Sequence, residues 1–105
     1  MKIAWIILTW NSKEYIQKCI DSIINLHGIQ SQIIITDNGS TDGTVDFIKH
    51  LYGQAVTVNE LLENQGTTVP RNIAIKQVDC DVDFVCVLDS DTEVNEKAIL
   101  YLAKI

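Results

Sequence analysis

The chain contains no glycine-rich phosphate loop. Neither G-x-G-x-x-G nor G-x-x-x-x-G-K-[ST] occurs, which argues against redox dinucleotides and P-loop hydrolysis. Basic residues are also scarce. Lys and Arg number 8 against 14 Asp and Glu, for a formal net charge of -6, which argues against nucleic acid as a partner. No apolar run approaches the roughly 18 residues of a membrane span. Met1-Lys2 before Ile3 to Leu8 has the outline of a signal peptide, but the run is short, lacks a small-residue cleavage site and leads into polar Thr9 to Glu14. A first core strand in a cytoplasmic protein is the expectation. The 3 cysteines have no C-x-x-C spacing, so reduced, buried thiols are expected rather than a disulfide or zinc site. Cys19 falls on the apolar side of a predicted helix, Cys80 in a connector and Cys86 in a strand. His27 and His50 stand alone near helix ends, where cap or surface roles suit them.

What is present is alternation. Segments of period near two alternate with segments of helical period along all 105 residues, which predicts successive βα units in one α/β domain. Ile3 to Leu8 reads as a buried strand. Tyr15, Ile16, Cys19, Ile20, Ile23 and Ile24 then recur on one helical face, with Asn11 and Glu14 as a capping box and Gly28 as the stop. Ile33 to Thr36 is the second strand, followed by a helix with Val45, Ile48, Leu51 and Tyr52 on one side, closed by Gly53. Ala55 to Val58 is a short third strand, and Leu61 and Leu62 in the next loop are expected to pack back on the domain. Thr67 to Val78 reads as a helix with Pro70 in its first turn. Phe84 to Leu88 is the fourth strand, and Val94, Ala98, Leu102 and Ile105 mark a last helix. The right-handed crossover rule favours a Rossmann-like βαβ sandwich with a mainly parallel four-stranded sheet, order 3-2-1-4.

In such sheets ligands bind beyond the carboxyl ends of the strands, where strand order reverses. That edge carries Thr9 to Asn11, Asp37 to Asp42 and Asp89-Ser90-Asp91. The last triplet is one of several Asp-x-Asp sequences, since Asp79-Cys80-Asp81 and Asp81-Val82-Asp83 also occur, so position must separate them. The Asp79 to Asp83 series precedes its strand and has Phe84 where a calcium loop requires glycine, so a solvated connector is expected there. Two acids about 4 Å apart repel by about 4 kcal/mol at an effective dielectric of about 20, a cost that a bound cation offsets. Asp89 and Asp91 therefore suit a divalent metal, or else they end a strand and cap the next helix. Asp37 either shapes a turn that caps the second helix or accepts hydrogen bonds from a base or ribose. Asn64, Gly66, Arg71 and Asn72 form a further cluster. Arg71, the sole arginine, runs against the helix macrodipole and is either solvated or recruited by a ligand.

Ile7-Leu8-Thr9-Trp10-Asn11, the segment from Ile34 through Asp37-Asn38-Gly39-Ser40-Thr41-Asp42 to Thr44, and Val87-Leu88-Asp89-Ser90-Asp91 together resemble the family 2 glycosyltransferases of GT-A fold. Cys19 to Ile23 also fits that family's first helix. The resemblance implies a nucleotide-sugar donor, usually a UDP-sugar, and a divalent metal, Mn2+ or Mg2+. It implies that Thr9, Trp10 and Asn11 border the base and ribose, that Asp37 holds the base with Asn38 beside it, and that Arg71 approaches the nucleotide. Asp89 and Ser90 would contact the ribose or the metal shell, and Asp91 would ligate the metal. Val69-Pro70 departs from the glycine- and alanine-rich stretch of many relatives. Family members also continue past the metal-binding triplet, so residues 1–105 are expected to be the N-terminal donor-binding part of a truncated GT-A domain. The catalytic base is then absent from the chain. A non-catalytic nucleotide-binding or interaction module of the same fold is the alternative. An exposed apolar surface or sheet edge is expected to favour homo-oligomers.

Overall fold

The computed structural model describes residues 1–95 and 97, so Ala98, Leu102 and Ile105 of the expected last helix lie outside the described residues. The elements run β1 (Lys2–Thr9), α1 (Ile16–Ile24), β2 (Gln30–Asp37), α2 (Thr44–Tyr52), β3 (Thr57–Glu60), α3 (Thr68–Ile75) and β4 (Phe84–Asp89). All pairings are parallel and the sheet order is β3-β2-β1-β4, the Rossmann-like arrangement expected. Strand β1 is central and covered on both faces, which is why it reads as a nearly unbroken apolar run. Its alternate residues Ile3, Trp5 and Ile7 join Ile33 and Ile35 of β2 beneath α1 and α2. Ile6 and Ile34 face the other way, against Ala74 of α3.

Several boundaries differ from the sequence reading. Helix α1 begins at Ile16 with no side-chain cap, and its buried face is Ile16, Cys19, Ile20 and Ile23; Tyr15 and Ile24 are exposed. The capping box does not form, because the Asn11 side chain accepts a hydrogen bond from the Thr41 N–H instead. The chain leaves α1 at Asn25, ahead of Gly28. Leu51 is exposed, while the Tyr52 hydroxyl reaches across to donate to Asp21 Oδ1 at 2.8 Å. A 3-10 turn over Gly53–Ala55 takes up Ala55, the residue expected to open β3, and that strand runs Thr57–Glu60. Helix α3 ends at Ile75, short of Val78. Leu62 is fully exposed, not packed back. Cys19 is buried but Cys80 is exposed, and Cys86 is intermediate.

The edge strand β4 is less covered. Val85 and Val87 pair in register with Ala4 and Ile6, on the face where α3 covers β1 and β2, and both remain about half exposed. The acids ahead of β4 are not a plain solvated connector. Lys2 Nζ lies 2.9 Å from both Asp79 Oδ2 and Asp81 Oδ1. The Lys2 N–H donates to Asp83 Oδ2 at 2.8 Å, and the Asp83 N–H donates back to the Lys2 carbonyl at 2.8 Å. This clamp fastens the start of β4 to the start of β1.

Hydrogen bonds to Asp81 and then Asp79 raise the Lys2 pKa above its ordinary 10.5, and the hydrogen bond from Lys2 lowers Asp81 below its ordinary 3.8. The clamp's stabilisation is therefore complete between pH 3.8 and 10.5. It is lost as pH falls through the lowered Asp81 value and as pH rises through the raised Lys2 value. Solvent screening keeps it modest. In thermal unfolding followed against pH, Lys2→Met should melt below the wild type near neutrality, with the gap closing in acid. A gap that stays constant down to the lowest pH at which the protein folds would refute the clamp's ionic character.

Candidate functional site

Register aligns the carboxyl ends of the strands. Thr9 pairs with Asp37, Asp37 with Glu60, and Leu8 with Asp89. Strand order reverses at β1, which lies between β2 and β4, and a pocket of about 230 Å³ opens there. Its lining is Leu8, Thr9, Trp10, Ser12, Asn38, Thr67, Arg71, Leu88, Asp89 and Ser90. Six of the residues expected at a ligand site, Thr9, Trp10, Asn38, Arg71, Asp89 and Ser90, thus meet at one opening. Trp10 is 57% exposed, with its indole available to a planar ligand.

Asp37 lies beneath this pocket and is 1% exposed. Its Oδ1 accepts the Thr9 and Ser40 hydroxyls, each at 2.6 Å, and its Oδ2 accepts the Ser40 N–H at 2.8 Å. A carboxylate offers roughly four acceptor positions, so these bonds use most of its capacity. Asn11 also stands back from the pocket. Its φ of 49° is a left-handed conformation that asparagine tolerates, and its N–H donates to Ser40 Oγ at 2.8 Å. Behind it, the Ser12 N–H donates to Thr44 Oγ1 at 3.0 Å, and Asp42 accepts both the hydroxyl and the N–H of Thr44. Desolvation opposes the Asp42 charge, yet the hydrogen bonds from Thr44 and the Lys13 N–H hold its pKa below the ordinary value.

The Asn38 side chain joins β2 to the next loop, donating to the Gly66 carbonyl at 2.9 Å and accepting the Gln65 N–H at 3.1 Å. Asn64 makes a local turn by accepting the Gly66 N–H, and Asn72 is exposed outside the pocket lining. Ser12 and Thr67 line the pocket without having been singled out from the sequence. Ser12 Oγ is hydrogen-bonded to Ser90 Oγ at 2.9 Å, a contact across 78 positions that no local pattern signals.

Asp89, the last residue of β4, and Asp91, two positions further on, are both exposed. Asp89 lines the pocket, whereas Asp91 lines an adjoining cleft with Glu14, Tyr15, Lys18 and Glu93. Among the described residues no group of three or more His, Cys, Asp or Glu side chains could hold a metal ion alone. Mg2+ and similar ions commonly use one or two carboxylates and complete their shell with phosphate oxygens and water. The exposed carboxylates of Asp89 and Asp91 fit that donor set. Nearby Cys19 does not contribute a thiolate, because burial, with a smaller effect of Asp91, pushes its pKa up to about 11.

A parallel sheet in the order β3-β2-β1-β4 with an acid-bordered pocket at its switch point defines a Rossmann-like domain. The family model described as glycosyl transferase family 2 matches residues 4–105, and the chain belongs to that family. The poly(ribitol-phosphate) beta-glucosyltransferase of Bacillus spizizenii is 31% identical over 105 residues, covering 95% of this chain and 16% of that protein. The poly(ribitol-phosphate) beta-N-acetylglucosaminyltransferase TarS of Staphylococcus aureus is 29% identical over 103 residues, covering 94% and 18%. A TarS structure in complex with UDP-GlcNAc superposes with a TM-score of 0.84 at 29% identity, over 99% of this chain and 30% of that one. The mannosyltransferase PcManGT of Pyrobaculum calidifontis, solved with GDP-Man and Mn2+, shares the fold with a TM-score of 0.84 at 20% identity, over 97% and 31%. The chain therefore spans less than a third of the length of these proteins. Among the described residues no helix is long and apolar enough to cross a membrane.

Thr9→Val preserves shape but takes one donor from buried Asp37. Chemical denaturation should show a loss of about 1–3 kcal/mol, largely restored by Thr9→Ser. Equal stability of the valine variant and the wild type would remove Asp37 from its bracing role.

Proposed function

We propose that the chain is the donor-binding part of a GT-A glycosyltransferase and holds a nucleotide-diphosphate sugar, most suitably a UDP-sugar, in the pocket between β1 and β4. The observation that carries this reading is the meeting of Thr9, Trp10, Asn38, Arg71, Asp89 and Ser90 at the sheet's switch point. The TarS structures with UDP and UDP-GlcNAc support the choice of nucleotide. Trp10 offers a face to the base, and the Thr9 to Asn11 turn borders the ribose. Asp37, from below, fixes the wall on which the base rests and retains limited capacity to accept a further hydrogen bond. Arg71 supplies the positive charge that the missing glycine-rich loop does not. Asp91, with Asp89, would hold Mn2+ or Mg2+, which when bound neutralises the diphosphate as leaving group. Ser90, tied to Ser12, sets the direction of the two acids.

Transfer also requires a base to deprotonate the acceptor. No described residue is assigned that role. The same surface serves a binding module without transfer, which nucleotide binding in the absence of sugar release would reveal. Cysteines without a disulfide among the described residues suit the reducing cytoplasm. The half-exposed valines of β4 suit self-association, which light scattering against concentration reads directly.

Calorimetry tests the donor site. UDP should bind in the presence of Mn2+ and lose about tenfold or more in affinity when Asp91→Asn removes a charge-assisted ligand. The variant should bind equally with and without the metal. Undetectable heats for UDP, GDP and ADP alike, in a folded protein with Mn2+ present, would sink the proposal.

A further inference from the structure

Asn38 is 5% exposed, and both ends of its amide are engaged by the loop after β3. From this pairing we infer that Asn38 is a positioning residue, whose two-way hydrogen bond to Gln65 and Gly66 holds Arg71 on the pocket wall. Only an amide makes both bonds. A carboxylate at this position has no donor for the Gly66 carbonyl and sets a negative charge against it.

Gly39 completes the clasp. A Cβ there would lie 2.8 Å from Glu63 Cα, and its φ of +79° is itself unfavourable for other residues, so the loop backbone closes down where only glycine fits. Beyond Gly66 the path to the pocket is short. Gly66, at φ 79°, turns the chain into Thr67, which lines the pocket, and the Arg71 N–H donates to the Thr67 carbonyl at 3.3 Å. A shift of the loop therefore moves the start of α3 and with it the only arginine. Arg71 belongs to the first turn of α3, where the helix macrodipole disfavours a cation, so its placement depends on such bracing. The clasp itself rests on protein geometry alone, while its effect on ligand affinity rests on the donor-site reading above.

The test compares wild type, Asn38→Ala and Asn38→Asp, each with and without Arg71→Ala, by amide hydrogen exchange and by UDP calorimetry with Mn2+. In Asn38→Ala, which removes the acceptor of the Gln65 N–H, exchange at Gln65 should speed by about tenfold while β1 amides stay unchanged. UDP affinity should fall by about tenfold when Arg71 is present and by less than about twofold when it is absent. Gly39→Ala, which displaces the loop and leaves Asn38 intact, should give the same Arg71-dependent loss even if a charged residue at position 38 prevents folding. Unchanged exchange at Gln65 overturns the clasp. Equal affinity losses with and without Arg71 overturn the positioning role and make Asn38 a direct ligand contact. Wild-type protein that binds no UDP defeats the donor-site reading and the Arg71 step together, and exchange then still decides whether the clasp exists.

Discussion

The carboxylate of Asp37 is buried at the end of β2, where it accepts hydrogen bonds from Thr9 of β1 and from the hydroxyl and amide of Ser40. A buried charge is costly unless it is fully hydrogen-bonded, so these donors cannot move independently. Thr9 sets the end of β1, and Ser40 in turn receives the Asn11 N–H. The turns after β1 and β2 are thereby locked to each other. The Asp37 carbonyl also accepts the Leu61 N–H at 2.9 Å, which fixes where the chain departs from β3. Three segments that border the pocket thus refer to one residue lying beneath it.

Order within the sheet was legible because the strands carry their own evidence. Ile3 to Leu8 and Ile33 to Thr36 are too apolar to be exposed on either face, and the helical stripes between them force crossovers of one hand. The separation of Asp89 from the Asp79 to Asp83 series followed from strand direction alone. Local pattern could not reveal partners distant in sequence. Asn11 followed by Glu14 looks like a capping box, yet Thr41, 30 positions away, competes successfully for the Asn11 side chain. Lys2 reaches acids 77 and 79 positions away, so the apparently solvated connector is a fastening. Ser12 and Thr67 carry no local signal for the same reason: their places in the pocket arise from contacts with segments distant in sequence.

The two ends of β4 are secured by different chemistry. At its amino end the Lys2 clamp is ionic and exposed to solvent, with a reciprocal backbone pair through Asp83. At its carboxyl end the hold is neutral, through Ser12 and Ser90 and a weak contact from the Cys19 thiol to the Asp89 carbonyl at 3.9 Å. Among the described residues, the cation that shares a cleft with Asp91 is Lys18. Both holds leave β4 in a defined register against β1.

The contact between Gly39 and Glu63 is made by main chain on the loop side, with Cα, C and N of Glu63 as the nearest atoms. The three nearest atoms belong to the backbone of residue 63, so the close approach does not depend on a particular side chain there. A Cβ at position 39 would collide with that backbone, whereas the side chain at 63 is not among the nearest atoms. The loop can diversify its outward chemistry, including the fully exposed Leu62, without disturbing the surface on its inner side.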